Sequence, residues 1–346
     1  MDRKLRLLGT VNRSQQILEL GPGYSPVAAK SAGWRTHVVD HATRDELRAK
    51  YASADVDIDL IEEVDTIWRD DPLHEAVPAN LLDRVDLLIA SHVLEHIPDL
   101  IGFFNSASRL VRHDGSLAVA LPDRRYCFDC FRPVSTTGAL LEAHQRKLTR
   151  HSLKTAYDHM AYSATVGGQL AWGPHPVAEP VLMDPFEAAA RTVTLSDDHQ
   201  DGPYHDYHAW QFTPAAFRLV MLEIAALGAS DWRVTDLHGP ENFEFFVVMR
   251  RDSVRYSDPV SLQQDRQRLL LAHLAETQEQ IDFIRGTARA AADGTVADYE
   301  DLVAKVANHD RRLQELGETL AWQRAALGYV RRAWHRLRGK RSGHRR

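Results

Sequence analysis

Cysteine is nearly absent from this 346-residue chain: only Cys127 and Cys130 occur. That excludes a disulfide scaffold and suits a reducing compartment. Long apolar runs are missing as well. No stretch approaches the roughly 18 apolar residues of a membrane-spanning helix, and Met1–Asn12 lack the apolar core of a secretory signal. A cytoplasmic setting is expected. Acids are absent from residues 331–346, which hold eight basic side chains, while the whole chain carries a net charge of −6. With those eight set aside, residues 1–330 carry −14. An acidic body repels phosphate backbones, so nucleic acid is not the expected partner. What is present, 44% hydrophobic and 26% charged residues, is the balance of a globular chain able to bury its own core.

Apolar runs and turn signals alternate along the first 121 residues. Ile17–Leu20 reads as a strand ending in Gly21-Pro22-Gly23, after which Val27–Ala32 reads as the start of a helix. Thr36–Val39 forms a second strand that ends at Asp40. Asp86–Ala90 is apolar on consecutive residues, as expected of a strand buried on both faces of a parallel sheet. A helix from about Leu100 to Val111 leads into a strand at Ser116–Leu121. Strands alternating with helices imply a doubly wound α/β sheet. Residues 122–211 interrupt this order with a His-, Pro-, Tyr- and Asp-rich insertion expected over the sheet edge. Thr213-Pro214 then opens a helix that Gly228 stops, and Trp232–Leu237 and Phe243–Arg250 close the globular part as two strands.

The expected domain limits are 1–252 for this body, 253–337 for a helical region and 338–346 for a basic tail. Leu270, Leu274, Thr277, Ile281 and Ile284 alternate at spacings of four and three, with a break expected between Gly286 and Gly294. A second series, from Tyr299 to Leu337, keeps the same spacing. The pattern fits a helical hairpin or an intermolecular coiled coil, hence a homo-oligomer; ordinary amphipathic helices packed on the body fit it equally.

Chemistry concentrates at Glu19-Leu20-Gly21-Pro22-Gly23-Tyr24-Ser25, where a strand hands over to a helix. Glycines there let a ligand approach the backbone, and a helix amino terminus favours an anionic group. Asp40 follows Glu19 by 21 residues, at the end of the neighbouring strand, where a carboxylate can accept hydrogen bonds from both ribose hydroxyls. The pair reads as a site for a nucleoside-containing cofactor. The dinucleotide pattern G-x-G-x-x-G fails, because Pro26 stands at its third position.

The spacing E-x-G-x-G resembles motif I of the class I S-adenosylmethionine-dependent methyltransferases. The resemblance implies a Rossmann-like seven-stranded sheet, with Glu19 organising the glycine loop and Asp40 holding the ribose of S-adenosylmethionine. Ser91-His92-Val93-Leu94-Glu95-His96-Ile97-Pro98-Asp99 is similar to the family's S-x-x-x-E-H-x-x-D segment, whose strand end lines the cofactor pocket. Arg112-His113-Asp114-Gly115 resembles its L-x-P-G-G turn, with His113 and Asp114 in place of Pro and Gly. The implied cofactor-binding residues are Glu19, Gly21, Pro22, Gly23, Asp40, His41, Ser91 and His92; for His92 and His96 a supporting hydrogen-bonded role is equally open.

On the acceptor side, the last strand of the alternation runs into Pro122-Asp123-Arg124-Arg125. Asp123 is expected to face the methyl group, with Arg124 or Arg125 pairing an anionic acceptor; a structural ion pair is the competing reading. His199, Asp201, His205, Asp206, His208 and Trp210 crowd the end of the insertion. No standard metal-ligand spacing is present, so His205 or His208 is read as a metal-free base, with Trp210 packing on the acceptor. Cys127 and Cys130 are read as packing residues. Pro122–Asp129 together with His205–Pro214 resembles bacterial glycan and cell-envelope methyltransferases of the type 11-like kind with helical tails, implying O-methylation of a sugar or other small polar acceptor in polysaccharide assembly. N-methylation stays open, as does a cofactor-binding scaffold acting through its tail. In the last helical stretch Leu327, Val330, Trp334 and Leu337 share a face flanked by arginines, the composition of an interfacial helix on anionic lipid. Peripheral contact with the inner face of the cell membrane is expected there; a solvated basic terminus is the plainer reading.

Overall fold

The computed structural model describes residues 3–69, 71–174, 178–194, 205–252 and 258–293. The chain divides into two units, Met1–Thr287 and Ala288–Arg346. The expected seam from Tyr299 to Leu337, the basic tail, and His199, Asp201 and Tyr204 lie outside the described residues.

In chain order the first unit holds α1 (Arg3–Leu8), β1 (Ile17–Leu20), β2 (Thr36–Asp40), α2 (Arg44–Tyr51), β3 (Thr66–Ile67), α3 (Leu73–Ala76), β4 (Val85–Ser91), α4 (Leu100–Leu110) and β5 (Val111–Pro122). The insertion adds α5 (Thr137–Gln145), α6 (Leu153–Tyr162), a small hairpin of β6 (Ala164–Thr165) and β7 (Val181–Leu182), and α7 (Phe186–Thr194). Then follow α8 (Pro214–Ala226), β8 (Trp232–Glu241), β9 (Glu244–Arg251) and α9 (Pro259–Asp293). Seven strands form one sheet in the order β3-β2-β1-β4-β5-β9-β8, parallel from β3 through β5 and antiparallel at β9 and β8. This is the doubly wound, Rossmann-like sheet expected from the sequence.

Strand periodicity divides the core. Leu18, Leu20, Leu88, Ala90, Leu117 and Val119 pack on one face with Phe104, Leu110, Phe217 and Trp232. Ile17, Leu87, Ile89, Ala118 and Ala120 pack on the other with Leu7, Leu8, Val27 and Ala28. The second layer is thin, because the helix expected at Val27–Ala32 is reduced to a single 3-10 turn at Lys30–Ala32. The Glu19 carboxylate accepts hydrogen bonds from Val27 N at 2.6 Å and Ala28 N at 3.0 Å, holding that segment as an irregular loop.

Local signals fix the helices on the thick face. Asp99 caps α4 by accepting from Gly102 N at 2.8 Å. Thr213 caps α8, Pro214 takes its first position, and Gly228 follows its end at φ +75°. β8 and β9 turn at Asn242, φ +56°, and Gly239-Pro240 lies within β8.

The expected limit at residue 252 is displaced. α9 belongs to the first unit as far as Thr287, and it docks through polar contacts. Glu276 accepts from Ala215 N at 3.0 Å, Arg266 pairs with Glu223 at 2.7 Å, and Arg125 reaches Glu279 at 2.8 Å. Leu270, Leu274 and Ile281 of the first heptad series are exposed. Gly286 does not break the helix, which runs through it to Asp293.

Candidate active site

The carboxyl ends of β1, β2, β3 and β4 open onto a cavity of about 700 Å³, lined by Gly21, Gly23, Asp40, His41, Trp68 and His92 among others. Ligands of open α/β sheets bind at this end, beside the point where strand order reverses. That point is between β1 and β4, the two strands from which the chain leaves in opposite directions. A smaller cleft around Gln16, Arg35 and Asn80 opens at the other end of β1 and β2, away from the glycine turn.

The turn after β1 is built for close approach. Gly21 has φ +56°, and a Cβ there would stand 3.0 Å from Val93 Cγ2; Gly23 has φ +49°. Both are left-handed conformations that side chains resist. Beneath them Glu19 is buried, and burial raises its pKa against the lowering by the Val27 and Ala28 amides. Glu19 thus shapes the loop and does not line the cavity. Asp40 is buried at the end of β2, with Oδ1 accepting from both the backbone N and Nδ1 of His41 at 2.7 Å.

Gly21, Gly23, Asp40, His41 and His92 therefore gather on one cavity, whereas Pro22 and Ser91 are not among its lining residues. Arg3 donates to the Ser91 hydroxyl and pairs with Glu244 at 2.9 Å, which ties Ser91 to α1. His92, at φ +54°, stands between two carboxylates: Nε2 lies 2.8 Å from Glu244 Oε2 and Nδ1 lies 3.4 Å from Glu95 Oε1. Burial alone would lower its pKa, but Glu244 and Glu95 push it up to about 9. His92 is an imidazolium near neutrality.

The acceptor-side expectations need correction. Asp123 is completely buried and does not reach the cavity: Arg125 donates to both of its oxygens, at 2.9 and 2.7 Å, so the competing ion-pair reading holds. Arg125 is fully engaged by that pair and by Glu279, while Arg124 spends its donors on the carbonyls of Arg132 and Cys130 and on Gln280. Neither is offered to an anionic acceptor. Trp210 is in the core, donating to Ile97 O at 2.6 Å, and so does not pack on a ligand. His205 is exposed and stacked on Tyr207, with ring centroids 5.3 Å apart. His208 is buried and its Nδ1 is bonded to Asp129, whose carboxyl stays at about 2 because His208 and Arg132 outweigh the effect of burial. The two cysteines are buried free thiols, pushed up by burial, Cys130 to about 12.

Several cavity residues escaped the sequence reading. Trp68 follows β3, Tyr51 closes α2, and Thr149 and Arg150 come from the insertion. The strand before Trp68 has only two residues, too few to read in the sequence, so Trp68 carried no signal. Glu244 had none, since it meets His92 across 152 positions. His96 lines the cavity with Asp206, whose Oδ1 lies 3.0 Å from His96 Nδ1. Burial would lower His96, but Asp206 and Glu95 raise it, and His96 in return holds Asp206 well below the usual carboxylate range.

Residues 1–168, just under half of the chain, match the family model described as "Methyltransferase domain". Over those residues the chain is similar to methyltransferase domains, for which S-adenosylmethionine is the expected cofactor. Among solved structures it is similar to the CcbJ methyltransferase from Streptomyces caelestis, at 14% identity over 73% of this chain and 97% of that one, with a TM-score of 0.37. It is also similar to an S-adenosylmethionine dependent methyltransferase from Mesorhizobium loti, at 12% identity over 71% of this chain and 95% of that one, TM-score 0.36. The mitomycin 7-O-methyltransferase MmcR is matched at 13% identity over 72% of this chain, TM-score 0.34, and the chain spans only 53% of that protein's length. No curated protein matches the chain in sequence.

Proposed function

We propose that this protein is an O-methyltransferase that uses S-adenosylmethionine to methylate a small polar acceptor, a sugar or glycan of the cell envelope. The observation that carries the reading is the joint presence of a buried Asp40 and two left-handed glycines on one cavity. Asp40 would hold the ribose hydroxyls, with Gly21 and Gly23 leaving the backbone open to the rest of the cofactor. The bound cofactor would supply an activated methyl group, so the protein's own work is alignment and exclusion of water.

Lys50, Arg69, Thr149, Arg150 and Asp206 stand around the cavity, and their donors and acceptors suit a hydroxylated ligand better than an apolar one. Tyr24 and Tyr51 meet edge to face at 5.0 Å beside the glycine turn. Calorimetry with S-adenosylmethionine and its demethylated product tests the reading. Micromolar binding is expected, and Asp40→Ala is expected to weaken it about 10–100-fold, the worth of hydrogen bonds to a charged group. No binding of either compound removes the enzyme reading and leaves a scaffold. Labelled methyl transfer to a panel of glycans then tests the acceptor class.

A further inference from the structure

Glu95 follows β4 in the turn at Leu94–His96 and is 1% exposed; its one charged contact so far described is a long one, His92 Nδ1 at 3.4 Å from Oε1. A buried carboxylate held by a single long contact keeps lone pairs that a cation could use. His96 and His208 stand beside it: one ligand atom from each of the three lies within 4.8 Å of the others. The two imidazoles meet edge to face with centroids 4.6 Å apart. The backbone fixes this arrangement, because the carbonyl of Glu95 accepts from Ala209 N at 2.6 Å and Trp210 N at 3.1 Å, which clamps the β4 turn to the end of the insertion.

We infer that Glu95, His96 and His208 form a binding site for one divalent transition-metal ion beside the cavity. The ligand set is two imidazoles and a carboxylate, which suits zinc-class ions and not magnesium or calcium. Metal–ligand bonds of about 2.0–2.2 Å need such atoms within roughly 4 Å of one another, so a small contraction closes the site. His208 is already set for the task. Asp129 is an acceptor only, so His208 donates Nδ1–H to it and keeps the Nε2 lone pair free to ligate, the carboxylate–histidine support common behind metal ligands. His96 lines the cavity with Asp206 at its side, so the cluster lies at the cavity's edge. Among the described residues this is the one gathering of three such side chains. The site does not depend on the methyl-transfer reading.

Cobalt(II) titration of the full chain, followed by visible absorption, tests the site without any assay of activity. One equivalent giving a d–d band is expected, unaffected by excess magnesium. Glu95→Gln and His208→Gln are expected to abolish the band, Asp129→Asn to weaken cobalt binding about 10–100-fold, and His205→Ala, outside the cluster, to keep it. No band in the wild-type chain overturns the site, and so does an undiminished band in a folded Glu95→Gln or His208→Gln variant. Circular dichroism checks folding, and should both variants fail to fold, an unchanged band in His96→Gln overturns the proposal while its loss upholds it.

Discussion

Glu19 illustrates how one carboxylate replaces a helix. Its two oxygens satisfy the amides of Val27 and Ala28, which a regular helix would have left to its own first turn. Glu19→Gln turns an amide N–H toward one of those donors and should cost about 1–3 kcal/mol in urea unfolding, together with weaker cofactor binding. Asp123 gives the opposite case, a residue that reads as catalytic and turns out structural. Asp123→Ala leaves the guanidinium of Arg125 buried with half its partners gone and should destabilise the fold by about 3–5 kcal/mol. Turnover per folded molecule should survive; a selective loss of turnover at unchanged stability would restore Asp123 as a base. Both residues were visible in the sequence, but only Glu19 has partners close enough along the chain for its role to follow from spacing. The fate of Asp123 was decided by Arg125 turning back on it and by α9 arriving from more than 150 positions away.

Among the elements, the legible ones were those whose termination is written locally. β1, β2 and β4 announce themselves as apolar runs, and α8 by its Thr213-Pro214 start and Gly228 stop. α1 was not foreseen, since its burial rests on Leu7 and Leu8 alone and its docking on Arg3 with Glu244 and Arg6 with Glu241. The first part of α9 reads as a seam of apolar residues, yet it attaches by its polar side. Glu276 from α9 supplies an acceptor to the first turn of α8, so Glu276→Ala should destabilise the body by about 1 kcal/mol, as loss of a helix cap does. Urea denaturation of the full chain checks this. An unchanged midpoint would show that α9 contributes nothing to the stability of α8.

For the whole molecule, pH is the informative variable. Burial lowers His151 and His159 to about 4, so both are neutral in the folded protein at pH 7. Unfolded histidine takes its proton near pH 6.5, so as pH falls from there through about 4 the unfolded chain binds protons that the folded one refuses. Stability is therefore complete above pH 6.5 and declines below it, by up to about 2 kcal/mol for each ring at pH 4.5. Denaturation midpoints at pH 7 and 4.5, with His151→Gln and His159→Gln flattening the difference, check the assignment. Charge asymmetry is the other global property. The arginine-rich last residues contrast with the acidic remainder, and deleting residues 326–346 should abolish binding to anionic vesicles at low salt; equal binding by the full and shortened chains would dismiss the membrane proposal.

The amides of Ala209 and Trp210, both held by the Glu95 carbonyl, bear on which acceptors can enter. Asp206, which lines the cavity, lies three residues before the first of these anchored amides. If the proposed transfer takes place in this cavity, the range of acceptors should accordingly be tunable at Asp206, while Gly21, Gly23 and Asp40 stay undisturbed.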